Sequence, residues 1–409
     1  MIEQTNTPKL RFPEFKNEWS YDLLSDVVTN KSKKFDPKKE EATKDIELDS
    51  IEQNTGRLLD TYISNDFTSQ KNKFKKGNVL YSKLRPYLNK YYYATIDGVC
   101  SSEIWVLNTL NKDVLVNKFL YYFIQTNRFS SVTNKSAGSK MPRADWELVK
   151  NIRLYKGSIK EQEKIGYFFS KLDQHIELEE KKLKLLEQQK KGYMQKIFTQ
   201  ELKFEDSQLE NIKWSYKTLE ELNSFFTDGN YGESYPKSED MSDKNDGVAF
   251  LRGSNLKKGR ITLEDANYIS KKKHSELTTG HLFLDDIVIA VRGSLGAVGY
   301  VNENIVGNNI NSQLAIIRTS SSLLYGKYLL YYLMSNQGKK ELLSRVTGTA
   351  LKQLPIKQIK QIKVPVPKLQ EQHKIANFLS ELDNLIDNQT EKIELLKERK
   401  KGFLQKMFV

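Results

Sequence analysis

The sequence predicts an α+β fold in which two similar α/β domains are separated by two long helices that pair as an intramolecular antiparallel coiled coil. A segment occurs twice, from Glu161 to Phe198 and from Glu371 to Phe408, at a constant offset of 210 residues with 18 of 38 positions identical. Neither copy contains proline, and both are rich in strong helix formers. Because the offset is about half of the 409-residue chain, the repeat indicates two similar halves.

The repeat divides the chain into four segments. We expect a first α/β domain at 1–157, a first long helix at 158–200, a second domain at 201–367 and a second long helix at 368–409. Each helix would be about 57 Å long if straight, at 1.5 Å per residue.

Short motifs recur in the same order in both domains. The apolar run KFLYYFIQT at 118–126 corresponds to KYLLYYLMS at 327–335, and both are typical of a short buried helix. The loops differ strongly, with SAGSKMPR at 136–143 in the first domain and TGTALKQL at 347–354 in the second. The pattern therefore predicts one topology with divergent loops.

Composition and net charge narrow the classes of protein to which this chain could belong. The 38% hydrophobic content is that of a folded chain, and no apolar run approaches the roughly 20 residues that a membrane span needs. Cys100 is the only cysteine, so an internal disulfide is excluded, and the four histidines show no zinc-site spacing. We expect no bound metal and, by default, a cytoplasmic location. The net charge of +13 favours a polyanionic partner.

Both long helices carry a heptad seam, in which apolar residues recur with alternating steps of four and three and polar residues interrupt the seam at the same two layers. An antiparallel register that places Glu179 opposite Lys400 and Lys190 opposite Gln389 would pair these polar layers. Gly192 and Gly402 fall inside the helices, where a close backbone approach or a bend would account for them, with a fraying helix end as the alternative. The central seam positions are Leu172, Ile176, Glu179, Leu183, Leu186, Lys190, Leu382, Ile386, Gln389, Ile393, Leu396 and Lys400.

Known catalytic signatures are missing from the sequence. It has no GxxxxGK[ST] phosphate loop, no Rossmann glycine fingerprint and no HExxH motif. The glycine-rich stretch VRGSLGAVGYV at 291–301 lacks the lysine and the following helix of a phosphate cradle. We therefore expect a chain that is not itself an enzyme.

Two divergent α/β domains that alternate with two long helices carrying E-Q-x-K-I, L-D, K-K-G and Q-K-x-F resemble the specificity subunit of a type I restriction-modification system. The strings FKKGNVLYSKLRPYLNK and CSSEIWVLN in the first domain and FLRGSNLKKGRI and VRGSLGAVGYV in the second are similar to that family's recognition domains. The resemblance covers essentially the whole chain.

The resemblance implies a function and a set of partners. Each α/β unit would be a target-recognition domain that reads one half of a bipartite, asymmetric sequence in double-stranded DNA, and the helices would set the gap between the half-sites. The helices would also dock two adenine-N6 methyltransferase subunits, and two motor-nuclease subunits would complete the complex. The chain itself would bind no cofactor, whereas its partners would use S-adenosylmethionine, ATP and Mg²⁺.

Candidate DNA contacts lie in or beside the loops that follow predicted strands, where cationic and amide side chains could meet phosphates and base edges. In the first domain they are Lys83, Arg85, Tyr87, Lys140 and Arg143. In the second domain they are Arg252, Ser254, Asn255, Arg292, Ser294, Asn309, Asn311 and Lys352. Asn309 and Asn311 have the alternative role of shaping a turn.

Other functions remain open from the sequence. The main alternative is a stand-alone DNA-binding specificity factor for a methyltransferase without restriction activity. A nuclease with an unrecognised site and a purely structural coiled-coil scaffold are the others, although a scaffold explains neither the two divergent domains nor the basic charge.

Overall fold

The computed structural model describes residues 6–36, 39–64, 70–136, 140–204 and 214–409. The chain forms two compact units, of which the first comprises 1–181 together with 391–409 and the second comprises 182–390. Each unit therefore combines one predicted α/β domain with a part of both long helices.

In the first unit, the strands form a two-stranded sheet in the order β1-β11, a four-stranded sheet β2-β10-β7-β8 and a five-stranded sheet β3-β6-β9-β4-β5. The strands are β1 (Ser20–Leu23), β2 (Val28–Thr29), β3 (Lys34–Phe35), β4 (Lys44–Ile46), β5 (Tyr62–Ile63), β6 (Lys71–Phe74), β7 (Val79–Ser82), β8 (Tyr91–Tyr93), β9 (Gly98–Ser101), β10 (Ile104–Thr109) and β11 (Arg153–Lys156). The helices are α1 (Leu24–Val27), α2 (Asn117–Phe123), α3 (Asn127–Thr133), α4 (Trp146–Val149) and the long α5 (Ile159–Phe198).

The core of the first unit forms around α2, which the apolar run at 118–126 predicts as a buried helix and which the structure confirms. Phe119 of α2 packs against Phe408 with ring centroids 4.9 Å apart, and Tyr122 packs against Phe169 of α5 at 5.1 Å. The ends of both long helices are therefore part of the same hydrophobic core as the sheet.

In the second unit, the strands form a two-stranded sheet β12-β23, a six-stranded sheet β13-β22-β19-β20-β17-β16 and a four-stranded sheet β14-β18-β15-β21. The strands are β12 (Ser215–Thr218), β13 (Phe225–Asp228), β14 (Met241–Ser242), β15 (Gly247–Leu251), β16 (Leu256–Lys257), β17 (Gly259–Ile261), β18 (Asn267–Ser270), β19 (Ile287–Ala290), β20 (Val298–Tyr300), β21 (Asn309–Ile310), β22 (Leu314–Arg318) and β23 (Lys363–Val366). The helices are α6 (Lys271–Glu276), α7 (Gly326–Met334), α8 (Asn336–Ser344), α9 (Ile356–Lys360) and the long α10 (Leu369–Met407).

A buried glutamine anchors the start of each long helix to its domain. The Gln162 amide accepts from Val116 N at 3.0 Å and donates to Val114 O at 3.1 Å. Gln372 repeats this arrangement, since it accepts from Tyr325 N at 2.8 Å and donates to Leu323 O at 3.0 Å. Both side chains are buried, so these bonds fix the angle at which each helix leaves its domain.

In each unit, the two long helices run antiparallel. In the first unit, Lys400 Nζ of α10 lies 2.7 Å from Asp173 Oδ1 of α5, and the rings of Phe168 and Phe403 lie 5.3 Å apart. The second unit has the reciprocal contacts, with Lys190 Nζ 2.5 Å from Asp383 Oδ1 and the rings of Tyr193 and Phe378 at 5.1 Å. The twelve predicted seam residues are all buried or half-buried.

Each of these ion pairs also includes a tyrosine from the α/β domain. The Tyr122 hydroxyl of α2 donates to Asp173 at 2.9 Å, and the Tyr331 hydroxyl of α7 donates to Asp383 at 2.8 Å. Burial, reinforced by the neighbouring carboxylate, raises the pKa of both tyrosines, so both remain protonated donors. Each aspartate therefore joins both long helices to a domain helix.

The expected pairing of polar seam residues is wrong. Lys400 pairs with Asp173 rather than with Glu179, which pairs with Lys392 at 2.5 Å. Lys190 pairs with Asp383, whereas the expected partner was Gln389. The prediction considered only seam positions as partners. An ammonium group in a half-buried seam is stabilised best by a carboxylate, and Asp173 and Asp383 directly follow the seam residues Leu172 and Leu382.

The expected close backbone approach does not account for the glycines inside the long helices. A Cβ atom added at Gly192 or Gly402 would meet nothing within 4 Å among the described residues, so no close approach requires a glycine at either position. Both residues lie within continuous helix.

We predict that Asp383→Asn lowers the free energy of unfolding by about 1–3 kcal/mol, because it leaves Lys190 half-buried without its counter-ion. Adding Lys190→Met should restore part of the loss, since the double variant removes both charges. Urea denaturation measures both effects. Glu381→Gln, at an exposed site on the same helix, is the control and should shift stability by less than about 0.5 kcal/mol. Equal stabilities of Asp383→Asn and the control would contradict this role.

We predict that Gly192→Ala raises the free energy of unfolding by up to about 1 kcal/mol, because alanine favours the helix and its methyl group meets no neighbour. Gly166→Ala in the same helix is the matched control, since a Cβ there would lie 3.1 Å from Lys118 Cγ and some of the gain should be lost. Thermal unfolding of the two variants compares them directly, and a lower stability for Gly192→Ala would disprove the prediction.

Candidate nucleic-acid interface

In the first unit, the two loops that carry predicted DNA contacts converge, through their backbones, with each other and with the turn before β10. Lys83 N, after β7, donates to Glu103 O in the turn before β10 at 3.0 Å. Ala144 N, before α4, donates to Lys83 O at 2.7 Å, and Arg85 N donates to Pro142 O at 2.8 Å. The loop after β7 is therefore held between the other two.

The predicted contacts of the first unit lie on this group of loops. Arg85 and Tyr87 are exposed, and Arg85 has a left-handed backbone with φ of 50° at the start of a single 3-10 turn, Pro86–Leu88. Lys83 is half-buried and Lys140 is exposed. Of the SAGSKMPR loop, residues 137–139 lie outside the described part of the chain.

Arg143 is tied to a carboxylate that the sequence did not single out. Its Nε lies 3.0 Å from Glu103 Oε2, and this hydrogen bond raises the pKa of the exposed guanidinium. A phosphate would have to compete with Glu103 for Arg143. The string CSSEIWVLN contains this glutamate directly before β10, and its position in the turn is the signal that could have identified it.

The second unit repeats the same convergence with different residues. Val291 N, after β19, donates to Gln313 O at 2.8 Å, and Leu354 N donates to Val291 O at 2.9 Å. Gln313 and Leu354 correspond to Glu103 and Ala144 at the 210-residue offset of the helix repeat. These bonds use only backbone atoms, so they leave the side chains free to differ between units.

A fourth loop joins this group in the second unit. A Cβ added at Gly253, in the turn after β15, would lie 3.5 Å from Ser294 Oγ, so the turn approaches the loop after β19 closely. Ser254, Arg292, Ser294 and Lys352 are all exposed on these loops. The Arg252 Nη2 donates to Asp265 O at 2.9 Å, and its buried Nε has no hydrogen-bond partner among the described residues.

Burial contradicts the predicted DNA contacts of two of the three candidate asparagines, Asn255 and Asn309. Asn255 is 1% exposed, and its amide accepts from Arg252 N at 3.0 Å and donates to Thr262 O at 3.0 Å. Asn309 is fully buried, with its Oδ1 bonded to the His274 ring. Neither can present an amide to a base, so both leave the candidate set. Asn311 Oδ1 accepts from Gln313 N at 3.0 Å and shapes the turn before β22.

Two further findings concern other kinds of site. Within the described residues, no group of three or more His, Cys, Asp or Glu side chains is arranged to hold a metal ion. In the same part of the chain, no helix combines the length and apolar character that crossing a membrane requires.

The fold and the duplicated loops agree with the comparison with known sequences. The family model of the type I restriction modification DNA specificity domain matches the sequence of this chain twice, over residues 16–188 and 211–398. The chain belongs to this family of type I restriction-modification specificity subunits.

Individual relatives are similar over different shares of the chain. The MjaVIII specificity subunit of Methanocaldococcus jannaschii is 26% identical over 327 residues, which cover 75% of this chain and 72% of that protein. The MjaIX specificity subunit of the same organism is 25% identical over 82% of this chain and 77% of its own length. The match to the EcoDI specificity subunit of Escherichia coli, at 28% identity, spans 42% of this chain and only 38% of that protein.

Solved structures show the same fold. A chain from a structural study of complex assembly and conformational transition of the type I R-M system aligns with a TM-score of 0.61 at 17% identity, covering 96% of this chain and 98% of that one. The S subunit of a type I restriction-modification system from M. genitalium aligns with a TM-score of 0.57 at 18% identity, covering 98% of this chain and 99% of that one.

Proposed function

We propose that this chain is the DNA sequence-specificity subunit of a type I restriction-modification complex and that each unit reads one half of a bipartite, asymmetric target. The observation that supports this most strongly is the pair of convergent loop groups, which share backbone hydrogen bonds and differ in the side chains they expose. One scaffold with two sets of side chains is suited to reading two unrelated short words in DNA.

The exposed side chains of each group fall into two classes of contact. Lysines such as Lys140 and Lys352 are suited to phosphates, which position the protein without reading sequence. Arg85 and Arg292 are suited to base reading, because a guanidinium can bind guanine O6 and N7 together. Arg85 and Arg292 follow β7 and β19, two strands at corresponding places in the two units.

The long helices would act as the spacer and as the docking surface for the catalytic partners. Two readers on one face of a duplex are separated by about one helical turn, roughly 34 Å. Non-seam residues of α5 and α10 include exposed apolar side chains such as Leu178, Leu185, Leu385 and Leu395, which a methyltransferase subunit could cover. In this proposal the partners supply the methyl donor, the ATP and the Mg²⁺, and this chain supplies the target choice.

Mapping of methylated adenines in a host that expresses this chain with its methyltransferase subunit tests the function. The expected pattern is two short words separated by a fixed gap. Arg292→Ala should relax one word and Arg85→Ala the other, each losing about 1–3 kcal/mol of discrimination at one base pair. Lys217→Ala, an exposed cation on β12 outside these loops, is the control. Relaxation of both words by a single variant would contradict independent reading.

The spacer role has its own test. Inserting one heptad between residues 181 and 182 and another between 390 and 391 leaves the residues of both units intact. Seven helical residues add about 10.5 Å, so the gap between the methylated words should lengthen by about three base pairs while the words stay the same. Insertion of a heptad in α5 alone is the control and should abolish methylation, because it disrupts the pairing of the helices. An unchanged gap in the double insertion would refute the spacer role.

A further inference from the structure

Leu351 and Met141, on the loops that precede α9 and α4, each present a large apolar side chain to solvent. Leu351 is 87% exposed, which is the largest exposed fraction of any large hydrophobic side chain in the described part of the chain. Met141 is 48% exposed and corresponds to Leu351 at the 210-residue offset that relates the long helices. A single exposed leucine needs no special explanation. Two at equivalent positions, both beside the candidate reading loops, form a pattern.

The backbone holds Leu351 at the tip of a tight hairpin. Thr347 and Gln353 exchange two backbone hydrogen bonds, of 2.8 and 2.9 Å, on either side of the tip. Gly348 has φ of 87°, and a Cβ there would lie 2.4 Å from Leu351 O, so the turn closes only with glycine at this position. The hairpin is fastened at its base, because the buried Leu354 donates its N–H to Val291 O.

The segment that follows Met141 is fastened by backbone hydrogen bonds to the loop after β7. The residue that follows it, Pro142, is buried and accepts the hydrogen bond from Arg85 N, and Ala144 N donates to Lys83 O. Met141 and Leu351 therefore both lie on segments that are fastened to the loop that follows a strand, β7 in one unit and β19 in the other.

Each of these two side chains has an exposed lysine next to it in sequence. Lys140 precedes Met141 and Lys352 follows Leu351, and both lysines are exposed. A protein-docking surface would be a contiguous apolar patch, whereas here one apolar side chain protrudes beside cations. This combination fits duplex DNA, in which phosphates attract the cations and an apolar side chain can enter a base step and partly unstack it.

We propose that Met141 and Leu351 are apolar wedges, each of which presses into a base step of the half-site that its own unit reads. The wedge makes the binding affinity depend on how readily that base step unstacks. Hydrogen-bonding side chains do not read this property of the DNA. This inference rests on the proposed function, because a wedge has no substrate unless the loops bind DNA.

The test uses the full chain in complex with its methyltransferase subunit and a duplex carrying the mapped target. The fluorescent base aminopurine replaces one base at a time, and its emission rises when its stacking is lost. Apart from the target adenine, which the methyltransferase subunit flips out of the stack, the wild-type complex should raise the emission at one step in each half-site. Leu351→Ala should abolish the rise in one half-site only, and Met141→Ala should abolish it in the other.

Affinity and its salt dependence separate the wedge from a phosphate contact. Leu351→Ala should weaken binding about tenfold, equivalent to roughly 1.4 kcal/mol, with the salt dependence unchanged. Lys352→Ala should instead reduce the slope of log affinity against log salt by about 1. Leu351→Met should keep most of the emission and affinity, since methionine can fill the same step.

Exposed leucines outside the loops provide matched controls. Leu323→Ala in the second unit and Leu110→Ala in the first remove side chains that are each 58% exposed and should change neither the emission nor the affinity. If the wild-type complex binds its target but Leu351→Ala and Met141→Ala behave like these controls, the wedge is disproved and the proposed function stands. If the wild-type complex binds no DNA with sequence preference, both proposals fail.

Discussion

The constraint on which the rest of the structure depends is the three-way contact of an aspartate with a lysine and a tyrosine. Asp173 joins Lys400 of the other long helix and Tyr122 of α2, and Asp383 makes the same contacts with Lys190 and Tyr331. Each contact ties both helices to the hydrophobic core of a domain. A half-buried ammonium group is costly without a counter-ion, so these contacts select one register among the several that an apolar seam alone would allow.

These contacts are connected to the loops through the cores of the two domains. Buried Gln162 and Gln372 fix the start of each helix, and the core built around α2 and α7 supports the strands β7 and β19. The loops after those strands are then fastened by backbone hydrogen bonds to neighbouring turns. Because backbone atoms do the fastening, side chains at the surface can change without loss of the loop geometry, which is the property that a recognition surface of variable specificity requires.

The agreement between prediction and structure follows from how local each signal is. The helix repeat and the buried helices at 118–126 and 327–335 depend on residues close together in sequence, and the structure has them. The role of Asn255 depends on its hydrogen bond to Thr262 and on the turn that joins them. A prediction from residue type alone therefore assigned this buried, turn-forming amide to base reading. The pairing of the helices was mistaken for a similar reason, since Asp173 and Asp383 lie just outside the seam that was considered.

By itself, the sequence determined the two-fold repeat, the length of the long helices, the family and the loops that differ between the halves. These features are carried by periodicity and composition, which are properties of the chain before it folds. Only the tertiary structure decided which carboxylate each seam lysine pairs with, that Asn309 is buried, that Glu103 holds Arg143 and that Leu351 protrudes. Burial and ion pairing depend on which residues, far apart in sequence, come together in the fold, and no local sequence pattern specifies that.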